Sequence, residues 1–597
     1  MRALRGSAKF GAAVLVLAAL GYLQTLNYEK DLLASLEAYL AIGLATILAL
    51  VVSRDRSPAN LSCLATAALF FGYIIARAIT SAAPYAARFD LYLAVGTLVT
   101  YALFASAFTS SQIRVAVIST LLAFGAIHVL VGVVQAGFGE NLSMLMPSLA
   151  DFRTKERGTG FFVDPDHLAG LLELVGALGL GVASWSRRPA WVRVLLGYLT
   201  IVCYFGLVLT GSRGGYLGAL ASILTFILLS LTIVVRASSR SLVRTAGTGL
   251  LLVVIASAAT WFLVQKNAMI SSRVDALFTV DPERPQLWQA AVEQWKLDPT
   301  FGTGGGTYPF YARQLRAGSM EDEPSDVHND YLHLLCEYGV VGVLAFGAFF
   351  FAHARHAWRV FAAIGPRRVA QGGLLSSDRV ALTIGAFAAM AAYAVHSAVD
   401  FNLHIPANAL IAACIFGMLA NLGRLPHLEA MADEAKRMRT FRLLSAGLAA
   451  ILIIQAARLI PGEYYAEQAR VALRDENPNF AIALARQALT YEKRNPNIYF
   501  YLARGLSALA FSSTDPGEQN DLYERAVVIY DQARRLAPLD GTYPLDIAFL
   551  YDRLGRFEEA EWMYFLAHER NPHSPTVAGL YQSHLEAWES GSTAITP

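Results

Sequence analysis

The hydrophobic pattern divides the chain in two. Between residues 8 and 460, apolar runs of about 18 to 24 residues recur, the length that crosses a bilayer core. From residue 462 to 597 the chain is polar and charged and holds no such run. The runs predict thirteen spans, at 8–25, 32–52, 58–78, 89–108, 115–137, 162–184, 190–210, 215–235, 246–264, 337–354, 380–398, 406–422 and 443–460. The first, Phe10 to Leu23, follows Arg2, Arg5 and Lys9 as a signal sequence would, but so many spans come after it that it reads as a retained helix. The expected fold class is all-α. It is a polytopic transmembrane helical bundle of about 12–13 spans over residues 1–461, with a large helical loop at 265–336 and a separate tail at 462–597.

Composition agrees, since 16% of residues are charged where soluble proteins carry about a quarter. The net charge of +2 argues neither for nor against nucleic acid, although no nucleic acid partner is expected, so the placement of the charges is more informative. Taking alternate connections, one set carries 22 Lys and Arg, and the short connections of the other carry 7. Basic residues favour the cytoplasmic side, which predicts a cytoplasmic N-terminus and puts both the 265–336 loop and the tail on the outer face. Cys63, Cys203, Cys336 and Cys414 lie in or beside apolar runs, with no zinc or disulfide spacing, and read as small hydrophobes.

The tail repeats. Pro496 and Pro538 are 42 residues apart, and removing the loop-like stretch Ser512 to Gln519 leaves 34; Pro538 to Pro572 is also 34. A further unit is visible in Ala466 to Leu489. The last unit has Gly555 positioned for close approach of paired helices and Ala560 and Ala567 for tight packing. The pattern resembles the tetratricopeptide repeat, which stacks as an α-solenoid and offers a concave surface to a protein or glycan partner, or serves as a plain scaffold.

Four features could carry chemistry. Thr210-Gly211-Ser212-Arg213-Gly214-Gly215 joins two spans almost without a loop, which holds Arg213 at the membrane surface, where an ionisable group is costly and usually functional. The glycines would free backbone N–H groups for an anion nest, and a guanidinium suits phosphate or pyrophosphate; the plain alternative is a snorkelling arginine. Asp326-Val327-His328-Asn329-Asp330 closes the large loop. His328 is a candidate general base, with Asp326 or Asp330 to orient it. In Glu283 to Ala291, Arg284 is a candidate second anion clamp, and Trp288, one turn on, either stacks on a sugar or packs in the core. Arg157 to Gly170 leads into the sixth span, with Pro165 suited to a helix start and Asp166 and His167 either lining a cavity or capping the helix. Gly302 to Thr307 lacks the following Gly-Lys-Ser/Thr and is neither a P-loop nor a dinucleotide fingerprint; it reads as a loop turning on itself.

Together these features resemble the O-antigen ligase and polymerase superfamily. The resemblance covers about residues 150–420 and rests on Arg157 with Gly158-Thr159-Gly160-Phe161 and Pro165-Asp166-His167; Thr210-Gly211-Ser212-Arg213-Gly214; Arg284 with Trp288, Pro299 and Gly302-Thr303-Gly304-Gly305; His328-Asn329-Asp330-Tyr331-Leu332; and His396 to Ala407. Asp164 and Asp166 depart from it, relatives often carrying asparagines there. The resemblance implies a metal-independent, cofactor-free, inverting transfer in the bacterial inner membrane. A glycan on undecaprenyl pyrophosphate would move, at the outer leaflet, to lipid A–core in a ligase or to a lipid-linked glycan in a polymerase. It implies Arg213 and His328 as catalytic residues, and Arg284, Arg157, Asn329, Asp330 and Trp288 as substrate-binding ones. A different class, a non-catalytic assembly scaffold or a transporter recruiting protein partners through the tail, stays open. Against a transporter, the membrane part shows no internal repeat of the kind common in them.

Overall fold

The computed structural model describes residues 2–25, 31–52, 59–138, 157–162, 164–237, parts of 247–265, 283–317, 324–362 with 364, 377–423 and 432–590. Every regular element among them of three residues or more is helical. The membrane part opens with α1 (Arg2–Leu23), α2 (Leu32–Val52), α3 (Leu61–Ile79), α4 (Ala87–Ser106) and α5 (Ser111–Phe138). It continues with α6 (Pro165–Trp185), α7 (Ala190–Thr210) and α8 (Arg213–Ala237). Two short helices, α9 (Arg284–Leu297) and α10 (Tyr308–Leu315), precede α11 (Asp330–Ala362), α12 (Asp378–His396) and α13 (Pro406–Leu422).

Ten helices are long and apolar enough to cross a membrane, and Ser7–Leu23 and Pro406–Leu422 are shorter apolar helices. Twelve of the thirteen expected spans therefore coincide with helices; that at 246–264 is only partly described. Arg153 and Lys155, the loop residues 266–282, and much of the basic connections at 238–244, 365–376 and 424–431 also lie outside them.

The bundle is organised around α6, every residue of which is buried except Asp166. Pro165 sits in its first turn, and the Asp164 carboxylate accepts the Asp166 N–H at 2.6 Å, which satisfies one of the helix's unpaired amides. Helices α7 and α12 pack along it. Glycine allows the α6–α12 approach: a Cβ on Gly385 would lie 2.9 Å from the Leu178 backbone, and one on Gly181 would collide with the Ala381 carbonyl. Small residues at such crossings let backbones meet closely where lipid offers no hydrophobic drive.

The 302–307 stretch does turn on itself. Gly302, Gly304 and Gly306 all have positive φ and the loop lies against a break in α11 at Gly339, where φ is 64° and ψ −172°. Buried Glu337 pins it by accepting from Gly306 N at 3.0 Å and Tyr308 N at 2.8 Å.

Helix α14 (Ala432–Arg474) runs unbroken from its membrane-spanning part into the tail, with Pro461 inside it. The tail then follows as α15 (Pro478–Tyr491), α16 (Pro496–Ser512), α17 (Pro516–Leu536), α18 (Thr542–Arg553), α19 (Phe557–Arg570) and α20 (Pro575–Ser590). Each packs on the next. Two expectations change in detail. The stretch 512–519 is not one loop, because Pro516 opens α17, capped by the Asp515 carboxylate. Gly555, at φ 71°, makes the left-handed turn between α18 and α19. Ala560 and Ala567 are fully buried, as their packing role requires.

The tail rests on the end of the bundle that carries α9 and α10. Arg316 donates to Asn571 Oδ1 at 3.5 Å and to the His573 carbonyl at 3.3 Å. Arg88, ahead of α4's buried stretch, pairs with Glu492 at 3.4 Å and Glu463 at 3.7 Å.

Gly181→Val is expected to force α6 and α12 apart, costing about 1–3 kcal/mol as overpacking does, and to lower the thermal midpoint of the detergent-solubilised protein. Gly447→Val, at a position with nothing within 4 Å of the added Cβ, should leave the midpoint unchanged. Equal midpoints for the two variants would refute the close crossing.

Candidate active site

The ends of six helices meet at the tail-bearing end of the bundle. Helices α6, α8, α11 and α13 start there, and α7 and α12 finish there. The segment from Ser397 to Ile405, between α12 and α13, is the hub. Asp330 N donates to the Ser397 and Asp400 carbonyls at 2.9 and 3.1 Å. Arg284 donates to the Val399 carbonyl, and Asn329 Nδ2 to the Ala398 carbonyl at 2.9 Å. The Asn408 side chain at the start of α13 bridges Asn402 Oδ1 and the His167 carbonyl, both at 3.0 Å.

Asp400 is the centre of this hub. It is 3% exposed, and an ionised carboxylate only accepts, so it draws donors from two elements. His328 Nδ1 lies 3.3 Å from one oxygen and His396 Nε2 3.5 Å from the other. His396 continues inward to Glu173 at 3.1 Å, a carboxylate buried midway along α6. Charged groups so deep in a membrane bundle survive only when paired.

The electrostatics follow from this geometry. Burial alone would raise the Asp400 pKa, but hydrogen bonds from His328 and His396 hold it well below the usual carboxylate range. Burial alone would lower the His328 pKa, and the Asp400 hydrogen bond and charge outweigh it, so the imidazole is a stronger base than an ordinary histidine. Its side chain is 31% exposed. Asp400 engages Nδ1, which leaves Nε2 as the other ring nitrogen. His328 also adopts φ 50°, uncommon for a non-glycine residue. Phe401 wedges edge-on against both His328 and His167, with ring centroids 4.8 Å apart in each case.

The sequence expectation that Asp326 or Asp330 orients His328 is corrected by this arrangement. Asp330 is the first residue of α11, and its carboxylate turns to His404 Nδ1 at 3.0 Å and Leu403 N at 3.1 Å. Asp326 adds only a nearby negative charge.

Arg213 opens α8 beside the hub. A Cβ on its neighbour Gly214 would lie 2.5 Å from His396 Cδ2, and one on Gly215 would lie 2.8 Å from Ala169 Cβ. The glycines of this motif serve close packing. The amide of Gly215 bonds Ser212 Oγ at 3.1 Å, which replaces the expected nest at that position. Arg157 donates to the Thr210 carbonyl at 2.7 Å and to Asp166 at 2.8 Å, so it ties α7, α8 and α6 together and its charge is already matched. Arg284 is the first residue of α9, and its bond to Val399 uses one of five guanidinium N–H donors. Trp288 donates to the His328 carbonyl at 3.4 Å and packs with the α9–α10 cluster, which is the core-packing alternative. Asn329 caps α11, its carbonyl oxygen accepting from Tyr331 N and Leu332 N at 3.0 Å. Arg213, Arg284 and His328 thus gather at one hub, while Arg157, Trp288, Asn329 and Asp330 brace it.

Sequence reasoning assigned no role to Asp400, His396 or Glu173. Signals existed: Glu173 is a lone carboxylate in an apolar span, and His396 and Asp400 are four residues apart at a span's end.

A second feature adjoins the hub. An apolar cavity lies among α3, α4, α11 and α13. Phenylalanines such as Phe71, Phe349 and Phe416 line its length, and Asp90, Asp330 and His404 its polar end.

Residues 198–347, from α7 through α8 and α9 into α11, match the family model described as O-Antigen ligase. That match supports the O-antigen ligase superfamily. No curated protein matches the chain. The matched stretch contains Arg213, Arg284 and His328, and it supports a membrane function of the O-antigen ligase or polymerase type.

Asp400→Asn is expected to lower the pKa of His328, because it removes the acceptor and charge that raise it. Titration of the imidazole by NMR in the solubilised protein should show the midpoint moving to lower pH. An unchanged midpoint would break the link between the two residues.

Proposed function

We propose that this chain is a membrane glycosyltransferase that moves a glycan from undecaprenyl pyrophosphate to an acceptor hydroxyl, most closely of the O-antigen ligase kind with lipid A–core as acceptor. The observation that carries the reading is the meeting of Arg213, Arg284 and a carboxylate-braced His328 at one end of the bundle, within or beside the stretch that matches the family.

The chemistry is a single displacement with inversion and needs neither metal nor cofactor. His328 Nε2 takes the proton from the acceptor hydroxyl as its oxygen attacks the anomeric carbon. The bond from that carbon to the pyrophosphate oxygen breaks, and the electron pair leaves with undecaprenyl pyrophosphate. Arg213 and Arg284 neutralise the charge that develops there, helped by the positive ends of helices that start at the hub. Asp400 steadies the imidazolium that forms, as a buried carboxylate does for a catalytic histidine. The apolar cavity takes a stretch of lipid chain, with its polar end towards the hub.

The protein sits in the bacterial inner membrane with its N-terminus cytoplasmic, and the hub, the α9–α10 loop and the tail in the periplasm. The tail is a tetratricopeptide-like domain, 462–597, packed beside the transfer domain, 1–461.

Reconstitution with a defined lipid-pyrophosphate glycan tests this. Arg213→Ala and His328→Ala are each expected to reduce transfer by about 10²-fold or more, as loss of a positioned acid–base group or charge stabiliser does, while insertion and thermal stability are kept. Full transfer by either well-folded variant would contradict the assignment. Unaltered assembly in cells carrying these variants would instead favour the scaffold reading. Product on lipid A–core marks a ligase, and lengthened lipid-linked glycan marks a polymerase.

A further inference from the structure

The seam between the bundle and the tail holds a second cavity, away from the hub. One wall is α10, through Phe310 and Arg313; the opposite wall is the tail, where α18 and α20 begin and α19 ends. Arg570 stands at the end of α19, and Thr542 and Thr576 stand in the first turns of α18 and α20.

The charged side chains among its described lining are all basic. Two guanidinium groups, Arg313 and Arg570, line it from opposite walls, and no carboxylate residue is among its described lining. Two helices present their N-termini to it, the end that favours negative charge. The hydroxyls of Thr542 and Thr576 add neutral hydrogen-bonding groups, and Phe310 gives an aromatic surface. Guanidinium groups match phosphate oxygens in fork geometry; hydroxyls and an aromatic face match a sugar ring.

The seam is also braced. Arg316, 3% exposed, clamps Asn571 and the His573 carbonyl next to the cavity. A Cβ on Gly541 would lie 2.9 Å from Arg570 Cβ, so the turn before α18 closes on that arginine. On the other side, α10 begins at Tyr308, whose hydroxyl donates to the Leu287 carbonyl of α9 at 3.0 Å. That is the helix whose first residue is Arg284. An occupant of the seam therefore touches both the tail and α10, the helix bonded to α9.

We propose that this seam is a binding site for a phosphorylated saccharide, held by Arg313 from the loop and Arg570 from the tail. The site gives the tail a direct part in substrate capture. The proposal takes from the function proposed above only that the ligand is a sugar; its binding needs no transfer.

The test is a binding titration of the full-length protein in detergent micelles, read by ligand-observed NMR, with three probes: glucose 6-phosphate, inorganic phosphate and glucose. Glucose 6-phosphate is expected to bind better than either of the others. Arg313→Ala and Arg570→Ala should each weaken it at least about tenfold, the usual loss for a hydrogen bond to a charged group, with thermal midpoints kept. Arg313→Lys and Arg570→Lys should restore part of it. Arg213→Ala should leave it unchanged, so this result is independent of whether the hub catalyses transfer. Inorganic phosphate binding as tightly as the sugar phosphate would overturn the saccharide assignment. Equal binding by wild type and both alanine variants, or no binding of any probe, would overturn the site.

Discussion

One buried carboxylate holds the reactive end of this protein together. Asp400 accepts from His328 on one side and lies 3.5 Å from His396 Nε2 on the other, and its backbone neighbours receive Asp330, Asn329 and Arg284. Removing a charge from such a place is expensive, because its partners would be left unmatched in a low dielectric. The hub therefore fixes the relative positions of α8, α9, α11 and α12 more firmly than apolar contacts between them would. The left-handed backbone at His328 is tolerated because Trp288 and Asp400 grip the residue from two directions.

The division of labour among arginines follows from the same geometry. Arg157 spends its charge on Asp166 and holds the turn ahead of Arg213 in place. Arg284 gives one N–H to the hub. A site with cationic groups from different helices, next to an imidazole strengthened by a carboxylate, suits a reaction in which one proton is taken and one pyrophosphate leaves. The neighbouring apolar cavity suits a molecule that is a lipid at one end and polar at the other.

Much of the bundle was legible in the sequence, because a bilayer demands long apolar runs and those are local. The pinned Gly302–Thr307 loop and the candidate trio Arg213, Arg284 and His328 were legible for a similar reason: arginine, histidine and glycine clusters stand out at the ends of such runs. The partner of His328 was not. Asp330 is two residues away and Asp400 is 72, and sequence distance favours the wrong one. What decides is that Asp330 begins a helix and its side chain turns back towards His404. The glycines after Arg213 were read as making a nest, whereas the structure uses them to seat α8 against His396 and Ala169. The stretch before α17 was read as a loop because Ser, Asp, Pro and Gly cluster there, although the same residues are those that cap and open a helix.

The most direct test of the central claim is a cryo-EM structure of the protein with an undecaprenyl-pyrophosphate glycan bound. The account predicts pyrophosphate density in hydrogen-bond contact with both Arg213 and Arg284, the anomeric carbon facing His328 Nε2, and lipid density in the apolar cavity. Pyrophosphate held elsewhere, with His328 still closed on Asp400 and facing no substrate, would contradict it.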